Sequence, residues 1–479
     1  MSNQPLSKQD LLRGHPEAGT VTAEQVREAR GANARRLVVL DDDPTGTQSV
    51  GNLPVLTGWT ESDLAWALGT GAPAVYVMTN SRSLAPEVAA QRNREVATNA
   101  LHAAQQLGID VDFVSRSDST LRGHFPLEPD VLGEVLTGAG IRVDGVIIVP
   151  AFGDAGRITV DSIHYAGSDA TGFVPVGDTE FAGDASFGYR SSDLRDWVQE
   201  KSGGRYRASD VATVTLDDLR GNPAAVVGVL SGLVDGRPVV VDIVEESDLR
   251  ALALAILAAE EGGKRFIHRV GPPFVRALIG QDVLEPLTGA DVAAIRAGGV
   301  GEDALGGLIA IGSHVSMTTR QLDVLRARRQ PTELEINVAE VLGAGRDHHL
   351  DQLVTRAVEA LATGNVVVRT SRALVTGDDA DASLTIARNV SDALVEVVQK
   401  ILAASPPRFV VAKGGITSSD VASRGLGIAR AIVRGPMLPG IVSLWEPSDG
   451  PARGIPYIVF AGNVGDDQAL ADVVDKLTL

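Results

Sequence analysis

The fold is decided by Leu37-Val38-Val39-Leu40-Asp41-Asp42-Asp43-Pro44-Thr45-Gly46-Thr47-Gln48, where four aliphatic residues run into three carboxylates and a turn. An apolar run of this length that ends in turn residues is typical of a buried strand in an α/β sheet. Such sheets bind their ligands at the carboxyl ends of the strands. Adjacent acidic side chains there repel one another unless a cation, a proton transfer or substrate hydroxyls use the charge. The structural alternative is one capping Asp and two solvated ones.

Length and composition indicate a globular chain of two domains. The chain has 479 residues, 44% hydrophobic and 22% charged, which is too long for one ordinary core. The net charge of −18 argues against a nucleic-acid partner, because phosphate contacts need clustered Lys and Arg. There are no cysteines, which excludes disulfides and thiolate metal sites and is consistent with a cytoplasmic protein. The most apolar segment, residues 251–259, is shorter than the roughly 20 residues that span a bilayer, so no membrane partner is expected.

The strand-and-helix pattern of the opening stretch recurs along both halves of the chain. Strands are predicted at 37–40, 74–78, 111–114, 145–149, 211–215, 238–243, 265–268, 307–311, 333–338, 365–369, 409–412, 441–444 and 457–460. Helices are predicted at 86–107, 223–233, 247–259, 317–328, 350–362 and 381–403. This alternation predicts an α/β fold of two domains, each a mostly parallel sheet with helices on both faces and an active site in the cleft between them.

The domain boundary is predicted from a segment rich in Gly and Pro at residues 271–301. It gives a first domain of residues 1–280 and a second of residues 302–479. Between residues 153 and 188 the periodicity fades, and Gly, Asp, Ser and Thr dominate. An irregular insertion of that length inside a compact domain is usually functional or flexible.

Arginines follow the predicted strands of the first half, at Arg82, Arg116, Arg122 and Arg157. Planar guanidinium groups suit carboxylates, so a sugar acid or another carboxylated metabolite fits a pocket built from them. Asp118 and Ser119 beside Arg122 favour a ligand rich in hydroxyl groups. The alternative for any single Arg is a surface ion pair.

Histidines give weaker signals. His124 and His164 lie near the arginine loops and are candidates for proton transfer, although a structural role is the commoner one. His348 and His349 are adjacent, so they point to different faces of a helix and make a poor metal pair. We interpret these two histidines as the solvated start of a helix, and no metal-ligating residue is assigned from the sequence.

Glycine-rich loops follow the predicted strands of the second half, at Gly312-Ser313, at residues 413–419 and at residues 462–465. Glycine lets backbone N–H groups approach an anion, and a following helix N-terminus adds a favourable dipole. Together the three loops indicate a site that binds a phosphate or nucleotide. Each loop alone is weak evidence, because glycine is common at turns between a strand and a helix. They match neither the Walker P-loop nor the dinucleotide fingerprint. Lys413 either meets a phosphate or caps a loop.

These motifs, taken in order, resemble the four-carbon acid sugar kinase family. The resemblance rests on segments spread over nearly the whole chain: Asp42-Asp43-Pro44-Thr45-Gly46, Asp118-Ser119-Thr120-Leu121-Arg122-Gly123, Pro150-Ala151-Phe152 with Gly156-Arg157, Gly312-Ser313, Gly414-Gly415-Ile416-Thr417-Ser418 and Gly462-Asn463-Val464-Gly465. It implies an N-terminal domain that binds the sugar acid and a C-terminal domain that binds ATP. It also implies phosphorylation, with ATP and Mg, of a hydroxyl of a threonate, erythronate or 3-oxo-tetronate type of substrate.

The resemblance also implies that the Asp42-Asp43 pair and the Arg122 loop hold the substrate, and that Ser313, Gly414 to Thr417 and Gly462 contact ATP. The roles of individual residues are then predicted from the general chemistry of phosphoryl transfer. We expect Asp43 to accept or orient the proton of the attacking hydroxyl and Arg122 to hold the substrate carboxylate. The remaining substrate-binding residues are expected to be Asp42, Ser81, Arg82, Asp118, Ser119 and Arg157. The ATP-binding residues are expected to be Ser313, Gly414, Gly415, Ile416, Thr417, Gly462, Asn463 and Gly465. A homodimer is the default oligomer.

The chain departs from the family pattern at two points. Pro44 stands where an aromatic residue is usual, and Phe460-Ala461 stands where a Lys usually precedes the last Gly-Asn. These departures indicate a divergent branch.

Two other functions share some of the same sequence features. Asp41-x-Asp43-x-Thr45 after an aliphatic strand is also the spacing of haloacid-dehalogenase-type phosphatases, with Asp41 as nucleophile and Asp43 as acid and base. That interpretation leaves the glycine loops unexplained. A non-catalytic sensor of a sugar acid or nucleotide is the third possibility, although no DNA-binding helix pair or basic patch supports it.

Overall fold

The structure, a computed structural model, describes residues 4–31, 34–371 and 380–479. The chain forms two compact units: unit 1 comprises Met1–Gly46 and Trp59–Val283, and unit 2 comprises Thr47–Gly58 and Leu284–Leu479. The predicted first domain therefore needs a correction, because residues 47–58 leave it and join the second unit. Inside unit 2 the indole of Trp445 donates to Thr47 Oγ1 at 3.0 Å, and Thr47 in turn donates to Ser443 Oγ at 2.9 Å.

The strands of the described residues are numbered in chain order: β1 Arg36–Asp41, β2 Leu53–Leu56, β3 Ala74–Met78, β4 Val111–Arg116, β5 Gly145–Val149, β6 Arg157–Val160, β7 Ile163–Ser168, β8 Gly172–Pro175, β9 Ala212–Val214, β10 Arg237–Val241, β11 Phe266–Val270, β12 Leu308–Ile311, β13 Thr332–Ile336, β14 Val366–Thr370, β15 Val410–Lys413, β16 Arg430–Leu438, β17 Ile441–Pro447 and β18 Tyr457–Phe460.

The α-helices are α1 Lys8–Leu11, α2 Ala23–Arg30, α3 Glu61–Gly69, α4 Pro86–Leu107, α5 Leu127–Gly138, α6 Leu194–Lys201, α7 Leu216–Gly221, α8 Pro223–Ser231, α9 Glu246–Glu261, α10 Pro273–Leu278, α11 Gly289–Arg296, α12 Ser316–Arg329, α13 Val338–Val341, α14 Arg346–Leu361, α15 Ala380–Ala404, α16 Gly415–Asp420 and α17 Ala469–Thr478. Within the described ranges, no helix combines the length and the apolar character that crossing a membrane requires.

Unit 1 is built on a parallel sheet in the order β3-β1-β4-β11-β5-β10-β9. Every residue of β3 and β11 is buried, so both faces of these strands are covered, as parallel sheets require. Helix α4 follows β3 and begins with Pro86 at its first turn. It ends before Gly108, whose φ of +64° closes the helix at no steric cost.

The insertion of unit 1 contains a second sheet, the antiparallel β6-β7-β8, which periodicity alone did not predict. Gly156 lies where β6 begins, and a Cβ there would approach the carbonyl oxygen of Gly167 to 1.8 Å. The turn into this small sheet therefore requires glycine. Thr159 of β6 exchanges backbone hydrogen bonds with Ile243, which follows β10, so the insertion is attached to the main sheet of the unit.

Unit 2 is a mixed sheet in the order β13-β14-β12-β15-β18-β17-β16-β2. Strands β13, β14, β12, β15 and β18 are parallel to one another. Strands β17, β16 and β2 are each antiparallel to their neighbours. The fold class predicted from the sequence, α/β with two mostly parallel sheets, is confirmed. The antiparallel β16–β17 pair extends well beyond the short strand predicted at residues 441–444.

Candidate functional site

The loops that carry the predicted substrate residues follow β1, β3, β4 and β5. Because these strands are parallel, their carboxyl ends lie at one edge of the unit 1 sheet. The sequence predicted such an edge site, and the contacts of each side chain determine its part there.

Asp41 is a buried structural carboxylate. It is the register partner of Arg116 on β4, and the two fully buried side chains form a close ion pair. Gly46 lies directly against them, because a Cβ there would approach Asp41 Oδ2 to 2.2 Å and Arg116 Nε to 2.3 Å. A carboxylate so enclosed has no access to a phosphate ester, so the phosphatase alternative with Asp41 as nucleophile is not supported.

Asp42 positions Arg82. Its two carboxylate oxygens accept hydrogen bonds from Arg82 Nη2 at 2.6 Å and Arg82 Nε at 3.0 Å. Burial raises the pKa of Asp42 to about 7, although this bidentate contact opposes the shift. Only 1% of the Asp42 side chain is exposed, and it contacts Arg82, so its predicted contact with substrate stays a prediction.

Asp43 is the accessible member of the acidic triplet, with 26% of its side chain exposed. Its Oδ1 accepts hydrogen bonds from the backbone N–H of Thr45 at 2.9 Å and from Thr45 Oγ1 at 2.5 Å. Its Oδ2 lies 3.7 Å from Arg82 Nη1. This arrangement fixes the carboxylate and places one oxygen beside a cation.

Asp118 and Arg122 form a second ion pair at this edge. Arg122 Nε donates to Asp118 Oδ2 at 2.6 Å, and Thr120 Oγ1 donates to the same oxygen. Burial alone would raise the pKa of Asp118, but Arg82 and Arg122 outweigh it and lower the pKa to about 2. Asp118 therefore stays ionised at neutral pH, and its charge links the two arginines.

Arg157 has a different environment. Its Nη1 donates to the carbonyl of Ala155, and its guanidinium lies 5.6 Å from the centre of the Phe181 ring. Within the described residues it forms no ion pair with a carboxylate, and burial lowers its pKa. Among the described residues, Asp118 acts on Arg157 only from beyond ion-pair distance, so the guanidinium has no paired carboxylate.

Ser81 and Ser119 lie beneath the surface of the site. The hydroxyl of Ser81 is fully buried and donates to Glu128, so the predicted substrate contact of Ser81 stays a prediction. Ser119 is 7% exposed, and its carbonyl accepts a hydrogen bond from His164 Nε2 at 2.8 Å. Burial lowers the pKa of His164 to about 4, so this histidine is neutral and structural at neutral pH.

Arg269 and Glu128 belong to the same network, although neither lies in a motif that the sequence singles out. Both are buried and form a close ion pair, and Arg269 Nη1 also donates to Ser115 Oγ at 2.8 Å. Glu128 accepts from Ser81, which continues the network to the loop after β3. The sequence feature that could have revealed this ion pair is Arg269, because a charged residue inside the apolar strand β11 requires a buried partner.

Unit 2 brings the three glycine loops together, since β12, β15 and β18 are parallel neighbours. A Cβ on Gly312 would lie 2.2 Å from Thr417 Oγ1, and one on Gly462 would lie 2.5 Å from Ser313 Oγ. Gly414 has a φ of +129°, which disfavours a side chain. The predicted nucleotide residues of these loops are therefore in mutual contact and leave little room for substitution.

Thr318, in the first turn of α12, connects two of these loops. Its hydroxyl lies 3.1 Å from Ser313 Oγ and 2.9 Å from the carbonyl of Gly462. The other predicted nucleotide residues lie around this core. Gly415 begins α16, Ile416 is 66% exposed, Asn463 is exposed, and Gly465 adopts a φ of +80° before α17.

Lys413 is buried beneath the glycine loops of unit 2. It is fully buried, its Nζ donates to the carbonyl of Ala461 at 2.6 Å, and it lies 3.7 Å from the centre of the Phe460 ring. Burial lowers its pKa to about 7. Of the two roles predicted for Lys413, this geometry shows the loop-capping one.

The carboxylates of the described residues were compared with the ligand sets that hold metal ions. Over the described ranges, no three His, Asp or Glu side chains gather as ligands for one ion. The carboxylates at the sheet edge are instead paired with guanidinium groups, as Asp42 is with Arg82 and Asp118 with Arg122.

Comparisons with known proteins agree with a sugar site in unit 1 and a nucleotide site in unit 2. A sugar-binding N-terminal domain matches residues 37–278, and a nucleotide-binding C-terminal domain matches residues 308–470. The fold and these matches define a two-domain α/β protein with a domain of the sugar-binding N-terminal type and a domain of the nucleotide-binding C-terminal type. The chain belongs to the family with the four-carbon acid sugar kinase architecture, which confirms the resemblance found in the sequence.

Two solved structures share the fold. Protein HI1011 of Haemophilus influenzae, of the family DUF1537, has a TM-score of 0.60 and 18% identity, covering 92% of this chain and 100% of that one. A Salmonella typhimurium LT2 protein, provisionally described as a tRNA synthase, has a TM-score of 0.63 and 17% identity, covering 91% and 98%. At these identities the likeness concerns the fold alone. No curated protein matches the chain.

Proposed function

We propose that this protein is an ATP-dependent kinase that phosphorylates a hydroxyl group of a small acid sugar of the threonate, erythronate or 3-oxo-tetronate type. The observation that carries the proposal is the joint presence of a cation-rich sheet edge in a sugar-binding domain and a glycine cradle in a nucleotide-binding domain. Magnesium enters as the counter-ion of the substrate MgATP, since the described residues offer no site of their own for it.

In the proposed reaction Asp43 accepts the proton of the attacking hydroxyl or orients that hydroxyl toward the phosphorus. Thr45 orients its carboxylate, and Arg82 lies beside the second oxygen. The O–P bond forms as the bond between the β,γ-bridging oxygen and the γ-phosphorus breaks, leaving ADP. Arg122 and Arg157 bind the substrate carboxylate, a contact for which planar guanidinium groups are suited.

The glycine loops of unit 2 are proposed to bind the triphosphate through backbone N–H groups and the dipole of α12. Ser313, Gly414, Thr417 and Gly462 are the residues whose mutual contacts support this role. The exposed side chains of Ile416 and Asn463 are proposed to contact the nucleotide at the rim of the cradle.

The decisive experiment is an ADP-release screen over threonate, erythronate and related acid sugars with MgATP. For an accepted substrate, Asp43→Asn is expected to lower kcat about 100-fold or more, since a positioned base contributes roughly 10² to 10⁴. Asp169→Asn, which changes an exposed carboxylate in the β7–β8 turn, is the matched control and should retain the wild-type kcat.

Three outcomes would overturn parts of this proposal. Normal turnover of the Asp43→Asn variant removes Asp43 from the reaction. Steady hydrolysis of a generic phosphate ester without ATP indicates a phosphatase. Tight binding of a sugar acid with no turnover across the panel indicates a sensor.

A further inference from the structure

The insertion of unit 1 is attached directly to the 118–124 loop. His164 Nε2 of β7 donates to the carbonyl of Ser119 at 2.8 Å, and the hydroxyl of Tyr189 donates to the carbonyl of Thr120 at 2.8 Å. Tyr189 and His164 are both buried, so these hydrogen bonds are shielded from water. The insertion is therefore part of the wall of the predicted sugar site, a role that its irregular sequence did not reveal.

Phe181 of this insertion contacts two arginines at once. Its ring centre lies 5.4 Å from the Arg122 guanidinium carbon and 5.6 Å from that of Arg157. Both distances fall within the range of about 6 Å over which a cation is attracted to an aromatic face. The arginines come from different loops, after β4 and at the start of β6, so one ring fixes their relative positions.

The charges around the ring are unequal. Arg122 has carboxylate neighbours in Asp118, at 2.6 Å, and Asp184, at 3.8 Å. Arg157 has none at ion-pair distance among the described residues. Asp184 is itself fixed by the backbone N–H groups of Ser186 and Phe187, both at 2.9 Å. Asp118 attracts Arg157 only from beyond ion-pair distance, so an anionic ligand that pairs directly with this partly buried cation is favourable.

We propose that Phe181 is a positioning residue that orients Arg157 and Arg122 as a clamp for the substrate carboxylate, and thereby selects acid sugars over neutral ones. This inference rests on the proposed kinase function for the identity of the ligand. Phe181 touches no reacting atom and acts through the two arginines.

The test is a kinetic comparison of Phe181→Leu with the wild-type protein. Leucine retains apolar bulk but offers no aromatic face, so we expect the KM for threonate or erythronate to rise about tenfold with kcat within about twofold. Phe181→Tyr restores the ring and should return KM to near the wild-type value. The ratio of kcat/KM for threonate over threitol should fall in Phe181→Leu and recover in Phe181→Tyr.

Tyr206→Leu is the matched control. Its ring lies 4.7 Å from the guanidinium carbon of Arg205, which pairs with Asp130, so the variant removes an arginine–aromatic contact that involves neither Arg122 nor Arg157. It should leave KM unchanged. A Phe181→Leu variant with the wild-type KM, or with a lower kcat at constant KM, would overturn the clamp.

Calorimetric titration with threonate and erythronate in the absence of ATP separates this inference from the kinase function. If the wild-type protein binds an acid but releases no ADP, and Phe181→Leu alone weakens that binding, the kinase function fails and the clamp stands. If the wild-type protein neither binds nor phosphorylates either acid, the clamp is wrong as well.

Discussion

Gly46 illustrates how a single missing side chain accommodates a buried ion pair. The Asp41 carboxylate and the Arg116 guanidinium occupy the space that a Cβ would need. We therefore expect Gly46→Ala to lower the free energy of unfolding by about 2 kcal/mol, the usual range for overpacking being about 1–3 kcal/mol. Chemical denaturation measures it directly.

Gly228→Ala is the control for that variant. Gly228 lies within α8, and a Cβ added there would meet nothing within 4 Å, so alanine should stabilise the helix by about 0.5–1 kcal/mol. If the Gly46→Ala variant is as stable as the wild-type protein, the Asp41–Arg116 ion pair shifts to accommodate the added methyl group at no cost in free energy.

The partner of Asp41 could not be predicted from the sequence. The sequence shows that the three carboxylates form a cluster at a strand end. Which of them is buried, paired or accessible depends on strand register. Asp41 lies opposite Arg116 because β1 and β4 are parallel and paired at that residue. Asp42 turns inward to Arg82, and Asp43 remains accessible. Asp41 ends β1, whereas Asp42 and Asp43 lie in the turn that follows it, so the partners of all three are assigned only when the neighbouring strands and loops assemble.

At the scale of elements, Lys413 connects the ends of β15 and β18. Burial lowers its pKa to about 7 from 10.5, so between these values the unfolded chain binds a proton that the folded protein has released. The contribution of this lysine to stability therefore rises with pH from about 7 to about 10.5 and is lost below 7. We expect the wild-type protein to gain stability relative to Lys413→Met over this window, measured by denaturation between about pH 6 and about pH 10.

Lys476→Met provides the comparison for this titration. Lys476 also donates to a backbone carbonyl, that of Met437 at 2.7 Å, and burial also lowers its pKa, but its environment is more open. Its difference from the wild-type protein should depend less on pH. If the difference for Lys413→Met is constant with pH, Lys413 does not titrate in this range.

Elements with strong local signals were predicted well. The strand at 74–78 and the helix at 86–107 agree with β3 and α4, because an apolar run and a Pro and Gly at the helix ends suffice to define them. The four-residue strand β2 was missed, since Pro54 weakens its local strand signal and its partner β16 lies far along the chain. The insertion was missed as a sheet because its short strands depend on Gly156 and on contacts with the residues that follow β10.

At the scale of the whole chain, unit 2 is discontinuous in sequence. All four residues of β2 are buried, and they pair with β16. We expect a fragment of residues 284–479 to unfold at a lower temperature than the same fragment joined to residues 47–58 through a flexible Gly/Ser linker. Large buried apolar side chains such as Leu53, Val55 and Leu56 contribute about 2–5 kcal/mol each when truncated to alanine. Differential scanning calorimetry compares the two.

A linked fragment with the order of residues 47–58 scrambled is the control. It retains composition and length but loses the contacts of Thr47 with Ser443 and Trp445. Equal melting temperatures for all three proteins would show that β2 adds nothing to unit 2.

The same discontinuity sets an order of events during translation. Thr57 donates a hydrogen bond to the carbonyl of Ile428, a residue 371 positions later. At about 5–20 residues per second, a ribosome needs roughly 20–70 s to make that stretch. All residues of unit 1 are synthesised before β16, the strand with which Leu53-Pro54-Val55-Leu56 pairs. A nascent chain thus exposes the apolar side chains of β2 for roughly 20–70 s before β16 is made.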